Sequence, residues 1–274
     1  MKRPALHFRQ DGDAQAPALV LLHSLATHSE LWASQRRVWC QMFRVISVDL
    51  PGHGASPEWS DGFTLNDLAD EVLSVLDGLG IEQAAVVGLS LGGMVAQALA
   101  LRHGARVQAL VIAHAGARTD AAVQEIWNQR IAQFESRDME VLSQSTLQRW
   151  FPREFAEQSP LTLAWVAGMI HATQPGGYIS AIRAIQGLDH LDRLHTITAP
   201  TLVLAGHADA AVPPAVARQL AEQLPNAQLR LLDGTGHLGN VQAPIQFTEI
   251  VGAFLQAALS VPLAHIKTTM ETLK

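Results

Sequence analysis

Apolar and polar positions divide this chain into three stretches. Up to residue 113, short apolar runs alternate with amphipathic segments. Residues 6–9 predict an edge strand, and residues 17–22 form a continuous apolar run of the kind buried inside a parallel sheet. Residues 30–42 carry Leu31, Trp32, Val38 and Trp39 near helical spacing, and residues 44–50 alternate as a strand. Thr64 followed by Asp67 is an approximate capping box. The helix it opens has an apolar stripe at Leu65, Leu68, Val72, Val75 and Leu76 and ends near Gly78 or Gly80. Residues 85–87 and 108–113 read as further strands. From Thr119 to about Leu194 only helical periodicities occur, over residues 121–135, 138–150, 161–172 and 178–186. After Pro200 the alternation resumes, with strands at 201–205 and 228–232 and helices at 214–224 and 241–259. This pattern implies an α/β fold, a mostly parallel central sheet flanked by helices. Its core spans residues 1–117 and 196–260, and a helical cap at 118–195 interrupts it. The pattern gives residues 261–274 no role, as helix or as disordered tail, and no internal repeat is visible.

Composition narrows the function classes. The chain has 274 residues, 48% hydrophobic and 16% charged, which describes a folded protein rather than a disordered one. A net charge of -6 without a Lys/Arg cluster argues against a nucleic-acid partner. Cys40 is the single cysteine, so an internal disulfide and a cysteine-based zinc site are excluded. The first residues lack an apolar signal core, and the uncharged stretch 84–101 is broken by glycines and a serine. A cytoplasmic protein without a membrane partner is expected. None of the histidines shows His-x-x-x-His or His-Glu-x-x-His spacing, so neither metal nor other cofactor is expected. The oligomeric state is not legible.

The chemistry centres on Gly88-Leu89-Ser90-Leu91-Gly92, set between a β-branched run and an Ala/Leu-rich helical segment. This fits a Gly-x-Ser-x-Gly nucleophile elbow, a sharp strand-to-helix turn that lifts a serine Oγ clear of the sheet. A serine hydroxyl needs a base within hydrogen-bond reach, and the base needs an orienting acid. Elbow architectures place these in the order serine, acid, histidine, each on a loop after a strand. Asp209 and His237 meet that demand. Asp189 and Asp192 fall in the cap, Asp233 crowds its own strand end, and the loop carrying His114 offers no acid before Asp120. His23 is read as shaping the loop after its strand and His53 as tying a tight loop. His7, His28, His103 and His265 are read as exposed. The two oxyanion donors expected are the backbone N–H groups of Leu25 and Leu91.

With these residues placed, the chain resembles the α/β-hydrolase family over roughly residues 5–259. Within that family it is similar to the 3-oxoadipate enol-lactonases of aromatic-compound degradation. The matching stretches are His23-Ser-Leu, Arg44-Val-Ile-Ser-Val-Asp49, Gly52-His-Gly-Ala-Ser56, Gly88-Leu-Ser-Leu-Gly-Gly-Met94, Ile126-Trp-Asn-Gln-Arg-Ile131, Arg149-Trp-Phe151, Gly176-Gly-Tyr178 and His237-Leu-Gly-Asn-Val241. The resemblance implies Ser90 as nucleophile, Asp209 as acid and His237 as base, with the cap inserted after a sixth strand. It departs at Ala26, Pro51 and His207, where glycine, arginine and other residues are usual. The implied substrate is a small ester or lactone, a carboxylated enol-lactone in the closest case. Arg149, Arg130 and Arg183 are candidate clamps for its carboxylates, and Trp150 a candidate wall. The alternatives are a general carboxylesterase or perhydrolase, and a ligand-binding receptor with a vestigial triad. A C–C bond hydrolase is disfavoured because Leu238, not tryptophan, follows His237.

Overall fold

A computed structural model of the chain describes residues 3–136 and 138–261, so the expected tail from residue 262, with His265, lies outside the described residues. The sheet comprises β1 (Phe8–Asp11), β2 (Ala18–Leu22), β3 (Arg44–Val48), β4 (Ala84–Leu89), β5 (Val107–Ala113), β6 (Thr201–Gly206) and β7 (Ala227–Leu232). Their order is β1-β3-β2-β4-β5-β6-β7. β1 runs antiparallel to β3, and every other neighbouring pair is parallel. Every residue of β2, β4 and β6 is buried, as strands covered on both faces require. β7, at the edge, alternates between partly buried and exposed positions over most of its length.

Helices cover both faces. Before the cap come α1 (Ala33–Trp39), α2 (Leu65–Gly78) and α3 (Leu91–Arg102). The capping box forms: Thr64 Oγ1 accepts from the Asp67 N–H, and Asp67 Oδ2 accepts from the Thr64 N–H at 2.8 Å. The stripe it aims inward, Leu65, Leu68, Val72, Val75 and Leu76, is buried. The cap contains α4 (Ala121–Glu135), α5 (Met139–Trp150), α6 (Arg153–Gln158), α7 (Pro160–Ala172) and α8 (Pro175–Gln186). After it come α9 (Pro214–Gln223), α10 (Gly239–Gln242) and α11 (Pro244–Ala258).

The structure differs from the sequence reading in several places. The cap follows the fifth strand, not a sixth. Between Arg3 and His7 only Leu6 is buried, too little apolar surface to hold another strand ahead of β1. α6 was not expected; it buries no residue completely, so it carries no periodicity to find. The helix expected at 241–259 breaks at Ala243, whose backbone leaves the helical region (φ -127°, ψ 59°) ahead of Pro244 at the start of α11. His103 is half-buried because Asp70 accepts from its Nε2 at 2.7 Å, and His28 is half-buried at the start of a 3-10 turn.

Candidate active site

The strand order reverses beside β2. From β2 the chain passes to β3 on one side, then returns across β2 to β4 on the other. In open parallel sheets this switch point leaves a crevice at the carboxyl ends of the strands. The loop His23-Ser24-Leu25-Ala26 follows β2 there, and Ser90 follows β4.

Ser90 has φ 54° and ψ -115°, a backbone conformation that L-residues seldom adopt. Its N–H donates to the Ala113 carbonyl at 2.8 Å, which ties the turn to the neighbouring strand. A Cβ at Gly88 would lie 2.2 Å from the Gly92 carbonyl oxygen, and one at Gly92 would lie 2.1 Å from that of Leu22. The bend therefore closes only over glycine at both positions.

Asp209 and His237 come from the loops after β6 and β7, and the structure brings both to Ser90. His237 Nε2 lies 2.9 Å from Ser90 Oγ, and His237 Nδ1 lies 2.9 Å from Asp209 Oδ2. An ionised carboxylate has no proton to donate, so Nδ1–H is the donor and Nε2 accepts from the serine hydroxyl. Asp209 Oδ1 accepts from the N–H groups of Ala211 and Val212 at 2.9 and 2.8 Å. Burial by itself would raise the Asp209 carboxyl, but His237 and His114 outweigh it and hold the group far below the usual carboxylate range. His114 is the residue that sequence reasoning passed over: its Nδ1 lies 3.1 Å from Asp209 Oδ2, and its ring is fully buried.

Above Ser90 lies a cavity of about 40 Å³, lined on the core side by Ser24, Leu25, Ala26, Met94 and His237 and on the cap side by Trp127, Arg130, Thr146, Arg149, Trp150 and Tyr178. Trp150 stands beside the His237 ring, with centroids 6.1 Å apart, and its carbonyl accepts from the His237 N–H at 2.7 Å. Arg130 is buried and donates to Thr146 Oγ1 and to the Tyr178 hydroxyl. Burial, with the Arg130 charge next to it, pulls the Arg149 guanidinium below its ordinary range. Among the described residues no acidic side chain lines this cavity. Arg183 is not part of it. It is exposed and borders an outer depression with Asp61 and Ser180, because its face of α8 points away from Ser90. Leu25 lines the cavity, and Leu91 is the first residue of α3, directly after Ser90.

A family profile described as the alpha/beta hydrolase fold matches residues 17–244. The chain belongs to the α/β-hydrolase fold family. It is 30% identical to the 3-oxoadipate enol-lactonase 1 of Acinetobacter baylyi (strain ATCC 33305 / BD413 / ADP1), covering 90% of this chain and 91% of that protein. It is also 30% identical to a RutD protein of Caulobacter sp. (strain K31), whose carbamate-hydrolase name is provisional, over 86% of this chain and 90% of that one. Among solved structures, the enol-lactonase from Burkholderia xenovorans LB400 superposes with a TM-score of 0.87 at 34% identity, over 92% of this chain and 96% of that one.

As an α/β-hydrolase, the chain holds its loops with buried histidines. His23 Nε2 accepts from the Leu50 N–H at 2.9 Å, so its Nδ1–H donates to the Ser24 carbonyl at 2.7 Å and sets the loop beside Ser90. His53 Nδ1 donates to the Pro51 carbonyl at 2.9 Å. His114, Asp209 and His237 are the group among the described residues that could hold a metal ion, their ligand-type atoms lying within 4.8 Å of one another. The 2.9 and 3.1 Å separations are hydrogen-bond lengths, shorter than the roughly 3.4 Å between ligands of a tetrahedral ion. Among the described residues no helix is long and apolar enough to cross a membrane. Thr146 and Tyr178 are cavity residues that sequence reasoning did not single out as binding groups. The available signals were the place of Thr146 on the same helix as Arg149 and that of Tyr178 in the matching stretch Gly176-Gly-Tyr178.

Proposed function

We propose that this α/β-hydrolase opens a small, carboxylated enol-lactone of the 3-oxoadipate type, using Ser90 as nucleophile, His237 as general base and Asp209 as the orienting acid. Hydrolysis of carboxylic ester or lactone bonds is the chemistry of this chain; the lactone is our reading. His237 Nε2 takes the Ser90 proton as Oγ attacks the carbonyl. The N–H groups of Leu25 and Leu91 receive the oxyanion. His237 then returns the proton to the leaving oxygen, which departs as an enol and becomes a ketone, and water attacks the acyl-enzyme by the same route reversed. Asp209 holds the imidazole tautomer and stabilises its cation.

The observation that carries the substrate class is the pair Arg130 and Arg149 on the roof of a cavity whose lining contains no acid. Two guanidinium groups held together without a carboxylate repel each other, and an anionic substrate relieves that repulsion. The similarity to enol-lactonases points the same way. The competing reading is a general esterase, and a thermophilic esterase from Thermogutta terrifontis, solved with malate bound, superposes with a TM-score of 0.87 at 26% identity.

The test compares kcat/KM for the enol-lactone formed from muconolactone with that for p-nitrophenyl acetate. A preference of at least ~100-fold for the lactone is expected, since two charge-assisted contacts at roughly 1.5 kcal/mol each supply it. Arg149→Met should cut that preference by about tenfold and leave the neutral ester within about threefold; an equal loss on both substrates would overturn the anionic reading. Ser90→Ala should lower hydrolysis of either substrate by at least ~10⁴-fold. A serine-free variant that still turns over would end the triad assignment, and a wild-type chain that binds but never turns over would favour a receptor.

A further inference from the structure

His114 is not required by any element. It follows β5 with φ 52°, a conformation asparagine or glycine fills more readily, and its ring is fully buried. Its Nδ1 lies 3.1 Å from Asp209 Oδ2, the oxygen that also faces His237 Nδ1 at 2.9 Å. The two imidazoles meet edge to face, centroids 5.9 Å apart and planes at 78°. Because the carboxylate has no proton to give, His114 donates through Nδ1–H, and since burial pushes its imidazole toward the neutral form, Nε2 carries a lone pair. That Nε2 is buried without a hydrogen-bond partner, and it abuts Gly239, where a Cβ would lie 2.5 Å away.

The donors to Asp209 can be counted. Ala211 N–H and Val212 N–H take Oδ1; His237 and His114 take Oδ2. A carboxylate offers about four lone-pair sites, so Asp209 is saturated, and His114 supplies the last donor. A saturated carboxylate stays ionised, cannot rotate, and attracts the imidazolium of His237 less strongly than one with a vacant site.

We propose that His114 is a positioning residue for Asp209, an Nδ1–H donor that fixes the carboxylate and tempers its pull on the His237 imidazolium. The proposal rests on the triad reading of Ser90, Asp209 and His237. Burial pushes the His114 imidazole down, consistent with a ring that stays neutral. The titratable groups facing it are Asp209 from the loop after β6 and His237 from the loop after β7. Ser90 is reached through His237, Arg149 of the cap acts on Asp209 at longer range, and α10 contributes only the backbone of Gly239.

The test uses two variants and one spectrum. His114→Leu removes the donor; His114→Asn keeps an N–H at nearly the same place and suits the backbone. In His114→Leu the acid limb of the kcat/KM profile should move up by roughly half a unit to one unit, with kcat/KM on that limb falling by about three- to tenfold. In His114→Asn the limb should return to within about 0.2 units of wild type. A limb unmoved in the leucine variant, or moved equally in both, would mean that His114 is only filler and would overturn the proposal. If the leucine variant does not fold, the ¹⁵N-histidine spectrum of the wild-type chain decides. His114 should show the Nδ1–H neutral tautomer unchanged from pH 5 to 9, and an Nε2–H tautomer or a charged ring in that range overturns the role. Should no ester or lactone be hydrolysed, the triad reading falls, and this spectrum still reports separately on His114.

Discussion

Buried histidines tie the stability of this molecule to pH. Burial pushes His23 down to about 4 and His53 down to about 3, the latter helped by the neighbouring His23 charge. His190 is pushed down to about 4 and His114 also falls, each through burial first. An unfolded histidine binds a proton near pH 6.5, while folded His23, His53 and His190 remain neutral until about pH 4 or below. Below 6.5 the unfolded chain therefore holds more protons, and stability falls as pH falls. Each histidine contributes a slope of up to about 1.4 kcal/mol per pH unit in that window. Asp49 and Asp209, both held below the usual range, add to the loss only nearer pH 4 and under. Urea unfolding at pH 7.5, 6.0 and 5.0 should show a steady fall in stability, and a flat profile would contradict the buried neutral rings. A second prediction at this scale concerns Ala26, whose φ of 57° lies where glycine costs less. Ala26→Gly should raise stability by about 0.5–1 kcal/mol, the strain relieved less the added unfolded-state entropy. Thermal unfolding checks it, and a lowered midpoint would show that the loop carries no strain there.

At the scale of elements, the strand–elbow–helix unit depends on glycine rather than on side-chain packing. Gly92→Ala would set a methyl 2.1 Å from the Leu22 carbonyl oxygen, with backbone on both sides and nothing flexible to yield. A loss of more than ~3 kcal/mol, seen as a collapse in soluble yield or a lowered thermal midpoint, is expected; a variant as stable as wild type would show that the elbow opens more easily than this packing implies. This unit was legible in the sequence because each part is local: an apolar run, the glycine spacing, and a helix-forming segment directly after. α2 was legible for the same reason, its cap and stripe lying within fourteen residues. Edge strand β1 was displaced by two residues from its expected place, since pairing of Phe8 with Val48 and Asp11 with Val45 sets its register, not its own alternation. The contact between His114 and Asp209 spans 95 positions and exists because β5 and β6 are parallel neighbours, which no periodicity near either residue records. Arg183 was grouped with Arg130 and Arg149 because all lie in the cap; only the packing of α8 shows which way each faces.

For the molecule as a whole, two seams fasten the cap to the core besides the junction where Ala117 accepts from His190 and Leu191, and substrate has to fit between them. One seam joins the Trp150 carbonyl to the His237 N–H at 2.7 Å, with Gly236 pressed under it. The other joins the Gln174 N–H to the Gly52 carbonyl at 2.8 Å, where Gly177 meets Gly52 backbone to backbone. The space left above Ser90 is about 40 Å³. Beside it lies a second cavity of about 130 Å³ lined by Val123, Ile126, Ile185, Leu188 and Val216, and the two share Met94, Trp127, Arg149, Ala211 and Val212. Trp127, on α4, is the largest side chain between them, so its indole sets how long an acyl group the site accepts. Trp127→Ala would join the two spaces and expose the apolar lining of the second to substrate. Each further buried CH₂ is worth about 0.8 kcal/mol, close to fourfold in kcat/KM. Across p-nitrophenyl acetate, butyrate and hexanoate, the variant should therefore gain with chain length, with the hexanoate-to-acetate ratio rising at least ~10-fold over wild type. A ratio unchanged by the substitution would mean that the seams, and not the tryptophan, limit the site.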